Sequence, residues 1–256
     1  MTDSILMTVV VPTHNLENYV GKTLDSLANQ QYRNFEVIVV DDASTDKTVA
    51  VAERYVKLDP RFRVVKLTKH SGVSKARNAG IDDAKGEAIT FVDGDDLVEP
   101  DFLQVMADGM AEPKVDMVTV GYRWGFRGAG ALEHRGLVSV SKREVYDSIN
   151  TRGNLIGGYV WNKAFRVSVL REQQIRFDET LDLAEDLLFT ADYVYATNNF
   201  LLDAKPLYEK VSRPGSTIHS ASFKQREREY EVRQHIDDMG AKIPSWDKYY
   251  KIWELP

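Results

Sequence analysis

The chain contains no cysteine among its 256 residues. A disulfide framework, a thiolate nucleophile, an iron–sulfur cluster and a cysteine-ligated zinc are thereby excluded, and any metal must be held by oxygen or imidazole. No apolar run approaches the ~20 residues that a membrane span needs. The opening Met1-Thr2-Asp3-Ser4-Ile5 lacks the basic flank and long apolar stretch of a signal peptide, which predicts a cytoplasmic location. Positive charge is not in excess either. The 33 Lys and Arg against 39 Asp and Glu leave 33 − 39 = −6, which argues against a general nucleic-acid binder. Glycine is missing from one informative place, the turn after the first apolar run. A dinucleotide-binding unit needs G-x-G-x-x-G there so that a pyrophosphate can approach the backbone. This chain has Pro12-Thr13-His14-Asn15 instead, with no glycine before Gly21.

What is present suits an ordinary globular chain, at 43% hydrophobic and 28% charged residues. The length corresponds to one large domain, or to one domain with an extension. Short runs rich in Val, Ile, Thr and Phe recur at Leu6 to Val11, Phe35 to Val40, Arg63 to Leu67, Ala88 to Val92 and Val115 to Val120, and these predict strands. Between them, Leu16, Val20, Leu24 and Leu27, then Val49, Ala52 and Val56, repeat an apolar face every turn and predict helices. The alternation predicts an α/β fold, a Rossmann-like, mostly parallel sheet flanked by helices. Near-continuous apolar strands agree, because a central parallel strand is covered on both faces. Pro100 predicts the first position of a further helix, with Asp101 in its first turn.

Beyond Val120 the second half is mixed. Gly121, Gly125, Gly128, Gly130 and Gly136, interleaved with aromatic and basic residues, predict a loop or irregular hairpin. A helix from Arg143 to Ile149, a strand near Tyr159 to Phe165 and a helix from Leu183 to about Ala196 follow. Two short strands near Phe200 to Leu202 and Leu207 to Val211 come next, and Phe223 to Met239 has the composition of a solvated charged helix.

In an open parallel sheet, ligands bind beyond the carboxyl ends of the strands. There the sequence offers Pro12 to Asn15, then Asp41 to Asp46, then His70-Ser71-Gly72, then Asp93-Gly94-Asp95-Asp96. Helix capping alone accounts for residues such as Ser44, Thr45 and Ser71. The acidic tetrapeptide is harder to explain that way, because three carboxylates within four residues repel one another. A divalent cation would remove that conflict, and oxygen ligands without cysteine point to Mg²⁺ or Mn²⁺ completed by phosphate and water. A haloacid-dehalogenase-type phosphatase carries its D-x-D on the first strand, whereas here the motif follows the fourth predicted strand.

Taken together, these motifs resemble the family 2 glycosyltransferases. The resemblance is carried by Val9 to Asn15, Val39 to Asp46, Gly72-Val73-Ser74-Lys75-Ala76-Arg77-Asn78-Ala79-Gly80 and Gly86 to Asp96. Val160 to Arg166, Ile175 to Phe177, Glu185 to Phe189, and Tyr208 with Arg213 to Ser216 extend it to roughly residues 7–218. It implies a GT-A fold over residues 1–220, with a nucleotide-sugar-binding half at 1–122, an acceptor half at 123–220 and a C-terminal helical extension at 221–256. It also implies inverting transfer from a nucleoside-diphosphate sugar, UDP-sugar favoured, to a glycan or lipid-linked acceptor.

Residue by residue, the resemblance assigns Asp42 to the base as a pure acceptor, and Pro12, Thr13, His14 and Asn15 to the walls of that pocket. Arg77 falls near the diphosphate, Asp93 and Gly94 at the donor, and Asp95 with Asp93 at Mn²⁺ or Mg²⁺. Asp186 matches the general base, with Glu185 beside it, and Trp161 is a weaker candidate for an acceptor platform. Two features stand apart, an acceptor lid expected at 121–136 and His219 as a loop residue expected to reach the metal or the diphosphate. The aromatics Trp246, Tyr249, Tyr250 and Trp253 suggest homo-oligomer contact, or peripheral attachment at the inner face of a membrane. The competing readings are a catalytically silent sugar-nucleotide or glycan-binding protein on the same fold and, more distantly, a metal-dependent phosphatase.

Overall fold

A computed structural model describes residues 4–125, 127–128, 136–151, 153–212 and 222–244, residues 127–128 in their backbone only. Its first half alternates strand and helix as the apolar pattern requires. The strands are β1 (Met7–Thr13), β2 (Phe35–Asp41), β3 (Phe62–Lys66), β4 (Ala88–Phe91) and a short β5 (Leu97–Val98), and the helices are α1 (Val20–Ala28), α2 (Thr48–Leu58), α3 (Val73–Asp83) and α4 (Phe102–Met110). The second half adds β6 (Met117–Trp124), β7 (Arg127–Gly128), β8 (Val138–Val140), α5 (Lys142–Ile149), β9 (Lys163–Arg166), α6 (Val167–Glu172), α7 (Glu185–Ala196), β10 (Phe200–Lys210) and α8 (Phe223–Gly240).

Among the described residues, ten strands join one sheet in the order β3-β2-β1-β4-β9-β6-β10-β5, with β7 on β6 and β8 on β10. From β3 to β4 every pairing is parallel, and β9 then runs antiparallel to both β4 and β6. The chain leaves β1 towards β2 and β3 and returns to place β4 on the other side of β1. That reversal opens a crevice between the carboxyl ends of β1 and β4, where open α/β sheets bind ligands. Burial on both faces explains the continuous apolar strands. Val9 and Val11 enter one core cluster with Leu24 and Leu27, and Val10 enters the other with Ile38, Phe91, Phe165 and Phe189.

Four local expectations are revised. The predicted pair of strands after α7 is one strand, β10, with register shifts between Asp203 and Tyr208 opposite Gly121. A Cβ on Gly121 would lie 2.3 Å from the carbonyl oxygen of Ala204, so the missing side chain admits the irregularity. The strand expected from Tyr159 begins at Lys163, because the preceding turn folds over the Lys163 ammonium, which donates to the carbonyls of Ile156 at 2.6 Å and Tyr159 at 2.7 Å. The glycine-rich excursion starts later than expected, since Gly121 to Trp124 continue β6. Pro100 precedes α4 rather than opening it, and Asp101 is the N-cap.

The C-terminal helix shares the main core. Val232 and Ile236 of α8 are buried in the cluster that holds Phe189 and Val194, and Tyr146 Oη donates to the Ile236 carbonyl at 3.1 Å. Arg213 to Ser216, His219, Trp246, Tyr249, Tyr250 and Trp253 lie outside the described residues, as does much of the 121–136 segment. Among the described residues, no helix is long and apolar enough to cross a membrane.

Gly80 shows how tightly α3 seats on the sheet, since a Cβ there would lie 2.4 Å from Val10 Cγ1 and 2.6 Å from Cγ2. Gly80→Ala is expected to destabilise the fold by about 1–3 kcal/mol through overpacking, despite the better helix propensity of alanine. Urea unfolding followed by circular dichroism measures the change, and an unchanged midpoint would contradict the packing account.

Candidate active site

The loops that follow β1, β2, β3 and β4 meet at one rim. Asn15 joins the first two, its backbone N–H donating to Ser44 Oγ at 2.9 Å and its Oδ1 accepting from the Thr45 N–H at 2.9 Å. Gly94 seats the fourth loop on the first, because a Cβ there would meet the Pro12 carbonyl oxygen at 2.9 Å and Thr13 Cγ2 at 2.8 Å. The backbone pays for this convergence locally, since Asn15, Ala43 and Ala184 all hold φ between 53° and 62°, a region that non-glycine residues seldom occupy.

Asp42 fastens the third loop to the second. Its carboxylate, 3% exposed, accepts from the backbone N–H groups of Ser71 and Gly72 at 2.8 Å each and lies 2.8 Å from His70 Nδ1. His14 stands beside it, with Nδ1 2.7 Å from the Asp42 carbonyl oxygen and Nε2 3.0 Å from Asn15 Nδ2. The His14 and His70 rings stack at 4.0 Å with an interplanar angle of 23°. Among the described residues, His14, Asp42 and His70 alone bring three potential ligand atoms within 4.8 Å of one another. The two Nδ1 atoms both face Asp42, that of His14 its carbonyl oxygen and that of His70 its carboxylate, so the trio forms a polar wall around Asp42. Thr13 faces inward, its hydroxyl 3.3 Å from Asp41 Oδ1.

Beside that wall lies a network of buried charge. Arg77, 4% exposed, donates from Nη1 to Glu185 Oε1 at 2.9 Å and from Nη2 to Asp93 Oδ1 at 3.1 Å. Its guanidinium also lies over the Phe177 ring at 5.2 Å. Burial alone would ease its proton off, but Asp93, Glu185 and Asp186 outweigh that and hold it above its ordinary value. Lys210 Nζ donates to Asp93 Oδ2 and to Asp96 Oδ2 at 2.8 Å each. Burial would raise the Asp93 pKa, yet Lys210 and Arg77 keep it well below the usual carboxylate range.

The expected conflict among the 93–96 carboxylates is thus resolved by protein cations. Asp96 turns inward, 0% exposed, to accept from Tyr208 Oη at 2.6 Å and from the Val211 N–H at 2.8 Å. Asp93, held by Arg77 and Lys210, and Asp95 are both partly exposed at the rim, and carboxylate oxygens are the ligand type that Mg²⁺ or Mn²⁺ takes.

Across the site, α7 begins at Glu185 directly after Ala184 with its left-handed φ of 62°. The turn aims Glu185 at Arg77 and holds Asp186 alongside. Burial first and the Glu185 charge second push Asp186 up to about 7, against the pull of Arg77. Lys163, fully buried nearby, is pushed down to about 7 by the same lack of solvent, with Asp186 opposing.

The structure therefore gathers Pro12, Thr13, His14, Asn15, Asp42, Arg77, Asp93, Gly94, Asp95, Glu185 and Asp186 around one crevice. Two expected parts change. Arg77 is a strut whose two terminal nitrogens are taken by acids from distant segments, rather than an open fork for phosphate. Trp161, 4% exposed, stacks on Tyr159 at 4.8 Å and on Tyr208 at 4.6 Å with Tyr122 edge-on, so it belongs to the core rather than to an open sugar platform. Lys210 was not legible as a site residue, because no local motif marks it and its partners lie more than a hundred positions earlier.

The sequence profile described as Glycosyl transferase family 2 matches residues 8–173. The glycosyltransferase GlyA of Streptococcus pneumoniae is 30% identical over 220 residues, 82% of this chain and 31% of its own length. The poly(ribitol-phosphate) beta-N-acetylglucosaminyltransferase TarS of Staphylococcus aureus is 33% identical over 232 residues, 89% of this chain and 39% of that protein. The chain spans between 31% and 63% of the length of the first curated relatives it matches. TarS residues 1–349, solved in complex with UDP-GlcNAc, superpose with a TM-score of 0.77 at 30% identity, covering 91% of this chain and 66% of that one.

The raised pKa of Asp186 carries a stability consequence. A carboxyl whose folded pKa, about 7, exceeds its unfolded value favours the folded state below the unfolded pKa, and that advantage is lost as pH rises to 7. Asp186→Asn, which cannot ionise, should therefore melt higher than wild type at pH 8, with the gap narrowing towards pH 5. Melting curves across that range check it, and a gap independent of pH would refute the buried-acid account.

Proposed function

The chain belongs to glycosyl transferase family 2, and from that premise we propose that it moves a sugar from a nucleoside-diphosphate donor, UDP-sugar favoured, to a hydroxyl of a glycan or lipid-linked acceptor with inversion. The observation that carries the proposal is the buried link from Asp93 through Arg77 to Glu185. It holds an acidic rim residue and the acidic start of α7 on either side of one crevice.

In this reading the loops after β1, β2 and β3 take the nucleoside. Asp42 offers the acceptor for a base N–H, His14 stacks on the base, and Pro12, Thr13 and Asn15 complete the wall. The binding of UDP-GlcNAc by TarS residues 1–349 supports a UDP-sugar. Asp95 and Asp93 would hold Mn²⁺ or Mg²⁺, which when bound supplies positive charge for a departing diphosphate. Gly94 lets the backbone of this turn lie close against Pro12. Asp186 takes the proton from the attacking acceptor hydroxyl, and its raised pKa of about 7 suits that task near neutral pH. Glu185 contributes to that raised value and, tied to Arg77, fixes the orientation of the helix start.

Asp186→Asn is expected to lower sugar transfer by at least ~10²-fold, the scale of general-base catalysis, while leaving nucleotide affinity within about threefold of wild type. Coupled release of nucleoside diphosphate measures the first quantity and calorimetry the second, after a thermal-shift screen of UDP-, GDP-, CDP- and TDP-sugars with and without Mn²⁺ has identified the donor. Added EDTA should abolish turnover. Unchanged turnover in the variant would overturn the base assignment, and phosphate released from simple monoesters instead of a nucleoside diphosphate would overturn the reaction class.

A further inference from the structure

Among the described residues, Lys210 is a cation in contact with the acidic rim that the proposed reaction leaves without a part. It ends β10, and its side chain, 17% exposed, bridges Asp93 and Asp96 through two bonds of 2.8 Å. Those two acids differ in what else they do. Asp96 is committed to the fold, since it also holds the Tyr208 hydroxyl and the Val211 N–H. The Asp93 carboxylate meets two cations, Arg77 on Oδ1 and Lys210 on Oδ2.

Arg77 is the rigid member of that pair. It is pinned at both terminal nitrogens, by Asp93 and by Glu185, and a planar guanidinium cannot leave one partner without turning away from the other. Lys210 is the adaptable member, a point charge on a flexible stem with three protons to donate. Two of those protons are engaged among the described residues. Its ammonium lies 5.9 Å from the Trp161 ring, which places one side of it against the aromatic core.

We propose that Lys210 balances Asp93 in the donor-free protein and, when donor and divalent cation enter together, turns from Asp93 to the donor's diphosphate while keeping its bond to Asp96. This rests on the reading of the crevice as a nucleoside-diphosphate site. The physical reason is competition for one carboxylate. A hard divalent cation sheds its water reluctantly and takes few protein ligands, so without a diphosphate it gains little by displacing an ammonium that is already in contact. With a diphosphate present, the cation gains phosphate oxygens and Lys210 gains a new anion, so both changes become favourable at once. Metal and nucleotide binding are then coupled through Lys210, and the coupling is reciprocal.

The test compares the wild type with Lys210→Met, which keeps the length of the stem without the charge, and Lys210→Arg, which keeps the charge. Mn²⁺ affinity of the nucleotide-free protein is read from the electron paramagnetic resonance of free Mn²⁺, and UDP affinity at saturating Mn²⁺ by calorimetry, with GDP, CDP and TDP as alternates. Lys210→Met should bind Mn²⁺ about tenfold more tightly in the absence of nucleotide and the nucleotide about tenfold more weakly at saturating Mn²⁺, with Lys210→Arg within about threefold of wild type on both counts. Should the methionine variant fail to fold, Lys210→Gln carries the same comparison. Unchanged or weaker Mn²⁺ binding in a folded, charge-free variant, with nucleotide still bound by the wild type, overturns the role of Lys210 alone. Failure of the wild type to bind any of the four nucleoside diphosphates, with or without Mn²⁺, overturns the donor reading together with it.

Discussion

The structure around the crevice depends on one buried guanidinium. Arg77 lies on α3, Asp93 follows β4 and Glu185 opens α7, so a single side chain ties the parallel half of the sheet to the helix that closes the site from the other side. Removing one partner from a buried, hydrogen-bonded ion pair typically costs ~3–5 kcal/mol, because the remaining charge is left without a counterion. The same burial that makes the strut expensive to break makes its geometry dependable. Rotation of Arg77 would release both acids together.

The electrostatic design of the rim follows from that strut. Lys210 and Arg77 neutralise Asp93 from opposite oxygens, Asp96 is withdrawn into the fold by Tyr208, and Asp186 has burial and Glu185 against it with Arg77 as its counterweight. Neighbouring acids are thereby driven to opposite ends of the carboxylate range, Asp93 held low and Asp186 raised to about 7. Separation of that kind sorts one group into an anchor for positive charge and another into a proton acceptor. The net charge of −6 conveys nothing of this, since the arrangement depends on which acids face which cations.

Much of the fold was legible in the amino-acid order because period-two and period-3.6 apolar patterns report burial directly. Strands β1 to β4 and β6, with helices α1 and α2, fall close to where Val, Ile and Leu repeat. Legibility declined in the second half, where tertiary contacts outweigh local pattern. Two short strands are expected near Phe200 to Leu202 and Leu207 to Val211, yet the gap left by Gly121 lets one irregular strand continue past Pro206. Tyr159 to Asn162 have strand composition but wrap the buried Lys163 ammonium instead.

The site divides along the same line. The sequence by itself determined which polar groups lie at strand ends, because a carboxylate or amide directly after a buried strand emerges at the rim. Asp42, Asp93, Gly94 and Asp95 follow from that rule, and the acidic start of α7 follows from helix-end chemistry. Only the tertiary structure decided how those groups are paired. The partners of Arg77 lie 16 and 108 positions away along the chain, and those of Lys210 lie 117 and 114 away. Ion pairs of such separation leave no periodic trace, because they are selected by the crossing of β4, α7 and β10 in space and not by any residue's neighbours along the backbone.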